Sequence, residues 1–208
     1  MIKKMLIAGV VLLILFSSTA YSAEGVYGRF SLGLAAPVES DLLDSTLPGI
    51  AVKTKYKSGL DVGGVIGYAF EKTRLEMGLA YQKNDFDNAH FQGADVRMNG
   101  DVSLLSVLIN GYYDFNNRSA FTPYLSAGIG FSRIQVTDLN IPGAGIFSAT
   151  DEDYMFSYLM GFGVAYEIDE NVSIDIGYQN FTPSDPNFDT TQAEFKSHNI
   201  SLGLRISF

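Results

Sequence analysis

The last residues of the chain alternate strictly between two kinds of side chain. From Asn199 to Phe208 every second residue is large and apolar, and the residues between them are small or polar and include Arg205. A period of two is typical of a β-strand with two different faces. One face here is uniformly apolar, whereas glycine and small polar residues would fill an oily core poorly. The pattern therefore predicts a strand whose apolar face contacts lipid and whose polar face lines the lumen of a closed barrel.

Seven earlier segments show the same alternation. The predicted strands cover residues 26–34, 59–70, 74–83, 101–115, 121–136, 154–166, 172–181 and 197–208. Four long connections, residues 35–58, 84–100, 137–153 and 182–196, alternate with three short ones, residues 71–73, 116–120 and 168–171. Outer-membrane barrels have short periplasmic turns, long outer loops and an even number of strands. The sequence predicts an all-β fold, an eight-stranded antiparallel up-and-down transmembrane β-barrel with four long extracellular loops.

The N-terminus has the composition of a secretory signal. Lys3 and Lys4 precede an apolar run over residues 5–16, and small or polar residues follow, ending in Ala20-Tyr21-Ser22. This order is typical of a cleaved signal peptide, and the apolar run is shorter than the roughly 20 residues that a membrane helix needs. We predict a signal peptide over residues 1–22 and a barrel over residues 23–208. Cleavage after Ala20 or Ala23 is also compatible with the pattern.

The composition excludes several classes of function. There is no cysteine, so neither a disulfide nor a thiolate metal site can form. The net charge is −9 without a basic cluster, which argues against a nucleic-acid partner because such proteins neutralise phosphates with Lys and Arg. We expect no cofactor and no metal site.

Charged side chains on the predicted lumen face are candidates for a buried network. Arg29, Glu76, Asp175 and Arg205 are expected at similar heights near the short turns, with Asp114 as a further member. An isolated buried charge is costly, so these groups should pair. We expect an ion-pair network that plugs the lower lumen, either as a purely structural plug or as a gate that opens when the pairs exchange.

Two positions test the alternation. Continued alternation places Arg133 on the lipid side, so we expect it at the rim, or else a β-bulge that turns Ile134 and Val136 outward. His198 is the histidine nearest to candidate nucleophiles, but Ser197 and Ser201 should lie on the opposite face of the strand. Since catalysis needs a base within hydrogen-bond reach, we expect no catalytic residues and no enzyme.

The chain resembles the small outer-membrane β-barrel families, the OmpA-like transmembrane barrel and the Opa-like or surface-antigen porin-like proteins. The resemblance is carried by the signal peptide, by residues 111–115, 123–130 and 172–178, and by the terminal strand that ends in Phe208. It implies residence in the bacterial outer membrane, in contact with lipid and lipopolysaccharide. It also implies assembly by the barrel insertion machinery, with Phe208 as the signal.

Three functions are compatible with such a barrel. The first is a structural or surface-interaction protein whose outer loops meet an extracellular ligand. The second is a narrow porin for ions or small solutes, and the third, remote one is an outer-membrane enzyme. We favour the first, because the sequence carries a barrel and long loops but no catalytic constellation.

Overall fold

The computed structural model describes residues 24–38, 40–44, 51–91, 94–97, 99–115, 119–141, 145–146, 151–184, 187–188, 191–193 and 195–208. The predicted signal peptide lies outside these residues. The strands are β1 (Gly25–Pro37), β2 (Ser40–Asp44), β3 (Ala51–Tyr56), β4 (Gly59–Ala69), β5 (Thr73–Phe91), β6 (Ala94–Arg97), β7 (Asn99–Asp114), β8 (Phe121–Ile141), β9 (Gly145–Ile146), β10 (Asp151–Glu167), β11 (Val172–Pro183), β12 (Asn187–Phe188), β13 (Thr191–Ala193) and β14 (Ser197–Ser207). Within the described part of the chain, no helix is long and apolar enough to cross a membrane.

Eight of these strands close into a barrel. The order around the barrel is β1-β14-β11-β10-β8-β7-β5-β4, and β4 pairs with β1 again. Every neighbouring pair is antiparallel, and the first and last strands meet over the register from Tyr27 opposite Ser207 to Pro37 opposite Ser197. Closure leaves no unpaired edge in the wall. The predicted eight-stranded antiparallel barrel is therefore confirmed.

The outer wall is apolar between two belts of aromatic rings. At the end of the barrel with the short turns, which we call the turn end, ring pairs form between Tyr68 and Phe70, between Tyr113 and Phe115, and between Phe121 and Tyr166. At the opposite end, the loop end, Phe131 packs edge-on against Phe156. Between the belts the exposed side chains are Leu, Ile, Val, Met and Phe, for example Leu202 at 66% exposure. A band of this kind faces lipid.

The wall continues past this band at the loop end. Strands β5, β8 and β10 have 19, 21 and 17 residues, more than the roughly 9–11 residues that a tilted strand needs to cross. Strands β2, β3, β12 and β13 form a sheet that joins β5, and β6 and β9 pair with β5 and β8. The segments that the sequence predicts as long loops thus contain six short strands, because backbone groups in an extension above the membrane still need hydrogen-bond partners.

The ladder between β7 and β8 decides the position of Arg133. The register is unbroken from Tyr124 to Thr137 in β8, and its only shift lies between Asn99 and Asp101, where Gly100 has a φ of 126°. Arg133 stays on the outer face and donates a hydrogen bond to Glu152, and Ile134 is buried inside. The alternative of a bulge that turns Ile134 and Val136 outward is wrong, since both side chains pack inside the barrel.

Candidate functional site

A bidentate ion pair crosses the lumen between β1 and β11. Arg29 donates from Nε and Nη2 to the two carboxylate oxygens of Asp175, at 2.8 and 2.7 Å. Tyr124 adds a third hydrogen bond to the same carboxylate at 3.2 Å. Both charged side chains are more than nine-tenths buried. Two parallel hydrogen bonds between ions fix both position and orientation.

A second ion pair lies nearer the turn end. Arg74 donates to both oxygens of Asp114 at 2.7 and 2.8 Å, and its guanidinium lies 4.2 Å from the ring centre of Tyr112. Its Nη1 is also 3.8 Å from Glu76, whose Oε1 accepts a hydrogen bond of 2.9 Å from Tyr27. Charge pairing, cation–π contact and a phenol donor offset part of the cost of burying these charges, while Oε2 of Glu76 has no hydrogen-bond partner among the described residues.

Arg205 has different partners from the other two lumen arginines. Its Nε donates to Ser173 at 2.9 Å, and its guanidinium lies 5.5 Å from the ring centre of Tyr27. Within the described ranges, Arg205 forms no ion pair with a carboxylate. Of the four side chains that the sequence predicts to lie together, Arg29 pairs with Asp175, and Glu76 contacts Tyr27 and Arg74. Arg205 instead contacts a hydroxyl group and an aromatic ring.

Arg74 and Tyr27 are members of this layer that sequence reasoning did not select. Both lie on the lumen face, Arg74 two residues before Glu76 and Tyr27 two residues before Arg29. Because side chains two residues apart in a strand share a face, the alternation could have identified both residues as lumen-facing. We call the five charged and two aromatic side chains that meet here the charged layer: Tyr27, Arg29, Arg74, Glu76, Asp114, Tyr124 and Asp175.

Lumen glycines make room for the charged layer. A Cβ on Gly203 would lie 2.3 Å from an oxygen of Asp175 and 2.6 Å from a nitrogen of Arg29. On Gly67 it would lie 2.4 Å from the ring of Tyr27. Large polar side chains therefore lie flat across a wall that has no side chains at these points, which explains why a narrow barrel can hold them.

The lumen toward the loop end contains a large group of apolar side chains. Nine buried side chains pack together there, and we call them the apolar cluster: Phe86, Val102, Leu104, Leu108, Ile134, Met155, Leu159, Phe181 and Phe195. This corrects the expectation that only hydrophilic groups line the interior. The wall around the cluster lies partly beyond the lipid band, and burial of apolar surface stabilises such a segment as it does a soluble core.

Hydroxyl and amide groups lie beside the apolar cluster. Ser132 forms hydrogen bonds of 2.7 Å with Ser106 and with Ser157, which joins three neighbouring strands along the inner wall. On β5, the strand next to β7, Gln82 donates to Asn84 at 2.8 Å, and Asn84 donates to the backbone of β1. These groups satisfy one another, as buried polar groups must.

A recess of about 280 Å³ enters the barrel at the turn end. It reaches the Arg74–Asp114 pair and Arg205, and Glu71 and Glu170 stand among its lining residues. The charged layer bounds it on the inside. The recess is thus a polar vestibule whose inner end is closed by the ion pairs of the charged layer.

The residues considered for catalysis do not converge. His198 lies on the outer face, where its Nδ1 is 2.6 Å from the hydroxyl of Tyr178, whereas Ser197 and Ser201 are buried inside the barrel. The side chain of His90 lies outside the described residues. Among the described side chains, no group of three or more His, Cys, Asp or Glu could hold a metal ion.

Comparison with known proteins gives consistent results. The family model described as the outer membrane protein beta-barrel domain matches residues 8–208. Outer membrane protein PagN of Salmonella typhimurium is 32% identical over 190 residues, which cover 81% of this chain and 78% of that protein. A Rickettsia typhi protein named as a candidate adhesin is 26% identical over 224 residues, or 98% of each chain. The crystal structure of Neisserial surface protein A superposes with a TM-score of 0.60 at 20% identity, covering 88% of this chain and 97% of that one.

Proposed function

The chain belongs to the outer membrane β-barrel family, and from that premise we propose that it is a surface-interaction protein whose loop end projects from the bacterial cell and binds another surface. The barrel resides in the outer membrane, and its relatives include proteins named as adhesins. Contacts with lipid and lipopolysaccharide, and assembly by the insertion machinery through the strand that ends in Phe208, are part of this proposal.

The observation that carries the proposal is the extension of the wall at the loop end. Strands β5 and β8 rise well beyond the lipid-facing band, and the sheet β12-β13-β2-β3 is joined to β5 by backbone hydrogen bonds. A sheet of this kind extends the hydrogen-bonded wall away from the membrane. Binding residues are often found on loops that a rigid scaffold positions. The extension supports an adhesive role better than a role inside the barrel.

Closure of the lumen supports the same reading. We propose that the charged layer plugs the lumen near the turn end and that the apolar cluster fills it near the loop end. A hydrated solute would have to separate two bidentate ion pairs and then pass the apolar cluster. Eight-stranded barrels enclose little more space than their side chains fill.

Display on a non-adherent bacterium tests the proposal. Residues 45–50, which connect β2 to β3, would be replaced by a short Gly/Ser linker, and attachment to cultured epithelial cells would be counted. We expect the full chain to confer attachment and the linker variant to lose most of it at equal surface expression. The matched control replaces Lys72, at the turn end, with alanine and should attach as the full chain does. Equal attachment of bacteria with and without the protein would refute the adhesive role.

The turn-end recess supports a second candidate, a narrow channel. It would serve as a vestibule of about 280 Å³, and exchange of partners in the charged layer would open it. Single-channel recording in a planar bilayer separates the two candidates. Stable conductance from the purified chain would favour the channel, and silence at both polarities favours the closed barrel.

A further inference from the structure

A small cavity in the upper lumen has a carboxylate on its wall. The cavity measures about 30 Å³, which is room for a water molecule or an unhydrated small ion. Its wall contains five polar side chains, Asp61 of β4, Gln82 of β5, Ser106 of β7, Gln179 of β11 and Asn199 of β14, and members of the apolar cluster such as Leu108 and Phe181 contribute to the rest. It is distinct from the charged layer, which lies nearer the turn end.

Asp61 is poorly compensated. Among the described residues its only hydrogen-bond donor is Nδ2 of Asn199, at 3.3 Å, and the same nitrogen is also 3.3 Å from Oε1 of Gln82. No described cation lies within ion-pair distance, and Arg29 on the neighbouring strand is engaged by two hydrogen bonds to Asp175. An ionised group in the membrane-spanning part of a protein is costly without a partner.

The amide groups of Asn199 and Gln82 at the cavity offer more hydrogen-bond acceptors than the neighbouring donors satisfy. Asn199 is only 6% exposed, and its Oδ1 has no hydrogen-bond partner among the residues that the structure describes. Oε1 of Gln82 accepts from Ser197 and Asn199, while its Nε2 is used by Asn84. The amide nitrogens of Asn199 and Gln82 are thus occupied, and the free capacity on these two side chains belongs to Oδ1 of Asn199.

From this arrangement we infer that the cavity binds a monovalent cation such as Na⁺ or K⁺, held by the carboxylate of Asp61 and the free amide oxygen of Asn199. Oxygen ligands are those that hard cations prefer, and a single carboxylate balances a single positive charge. A divalent ion would be left with one uncompensated charge next to the apolar cluster. The ion offsets the cost of the half-buried carboxylate and gives the unpartnered amide oxygen of Asn199 a partner.

Thermal unfolding of the full chain in detergent micelles tests the site. The midpoint is measured in NaCl, in KCl and in N-methylglucamine chloride at equal ionic strength, because the large organic cation cannot enter the cavity. We expect one of the small cations to raise the midpoint saturably by about 3 °C over N-methylglucamine. Asp61→Asn should abolish the difference, and in N-methylglucamine it should unfold no earlier than the parent because the unpaired charge is gone. The control Asp85→Asn, at an exposed position of β5, should keep the full response.

Crystals of the unaltered chain grown with thallium(I) give a direct test that does not depend on any variant. An anomalous peak in contact with Asp61 and Asn199 is the expected result. Equal midpoints in all three salts, or a map with a water molecule only at this position, would overturn the inference. Neither measurement depends on cell attachment, so failure of the cation site and failure of the adhesive role are distinguishable.

Discussion

Loss of one partner from the ion pair between Arg29 and Asp175 should be strongly destabilising. Asp175→Asn removes the charge that two short hydrogen bonds from Arg29 compensate, and the guanidinium, 8% exposed, stays in the lumen. The asparagine oxygen can keep one of these bonds but cannot neutralise the cation. Breaking a buried pair in this way costs about 3–5 kcal/mol. This is a large share of the roughly 5–15 kcal/mol that is typical of folded domains.

Urea unfolding of the chain in lipid vesicles, followed by circular dichroism, measures this loss. The matched control is Asp101→Asn, because Asp101 pairs with Lys83 at 3.2 Å but the lysine is 46% exposed. An exposed pair contributes about 0–1 kcal/mol, so the control should shift the midpoint little. The dependence of the unfolding free energy on urea concentration should be unchanged in both variants, since neither alters the surface exposed on unfolding.

The double variant Arg29→Met/Asp175→Leu separates pairing from packing. Replacing both ions with apolar groups leaves no uncompensated charge, so it should cost less than Asp175→Asn alone. If Asp175→Asn costs no more than Asp101→Asn, or if the double variant loses the sum of the two single losses, the pair is not the buried, coupled unit that its geometry indicates.

Two further substitutions test the packing of the lumen by the same unfolding assay. Leu104→Ala removes a side chain that is 1% exposed in the apolar cluster and should lower the free energy of unfolding by about 2–5 kcal/mol. The control Leu105→Ala, on the lipid face at 46% exposure, should lower it clearly less because lipid fills the space. Equal losses would contradict an apolar interior. Gly203→Ala places a Cβ 2.3 Å from the carboxylate of Asp175 and should lower the free energy of unfolding by about 1–3 kcal/mol because the carboxylate is displaced. An unchanged midpoint would show that the Arg29–Asp175 pair does not pack against the wall at Gly203.

The barrel itself could be predicted from the sequence because two independent signals agree. Alternation identifies each strand, and the succession of long and short connections gives the up-and-down order. Neither signal depends on distant contacts. The closing pair is an example, because the alternation in β14 and β1 fixes which side chains face inward before the register is known.

The apolar cluster could not be predicted because both faces of β7 are apolar near the loop end. Leu104 and Leu108 point inward and Leu105 and Val107 point outward, so both faces carry large apolar side chains and the pattern does not show that the inner face is packed as well. Hydrophobicity alone cannot distinguish lipid from a packed interior. The partners of Arg205 were equally hidden, because Ser173 and Tyr27 reach it through side-chain directions that strand register alone does not determine.

The charged layer and the apolar cluster close the lumen by different interactions, ion pairing in one and apolar packing in the other. This difference bears on where the protein acts. High salt weakens exposed ion pairs but screens buried pairs such as Arg29–Asp175 much less, and it strengthens apolar packing or leaves it unchanged. No single change in ionic conditions therefore opens both the charged layer and the apolar cluster. Conduction along the full lumen would need two independent rearrangements, whereas contact at the loop end needs none. We therefore expect the exposed extension at the loop end to carry the activity, and the interior to serve as its rigid support.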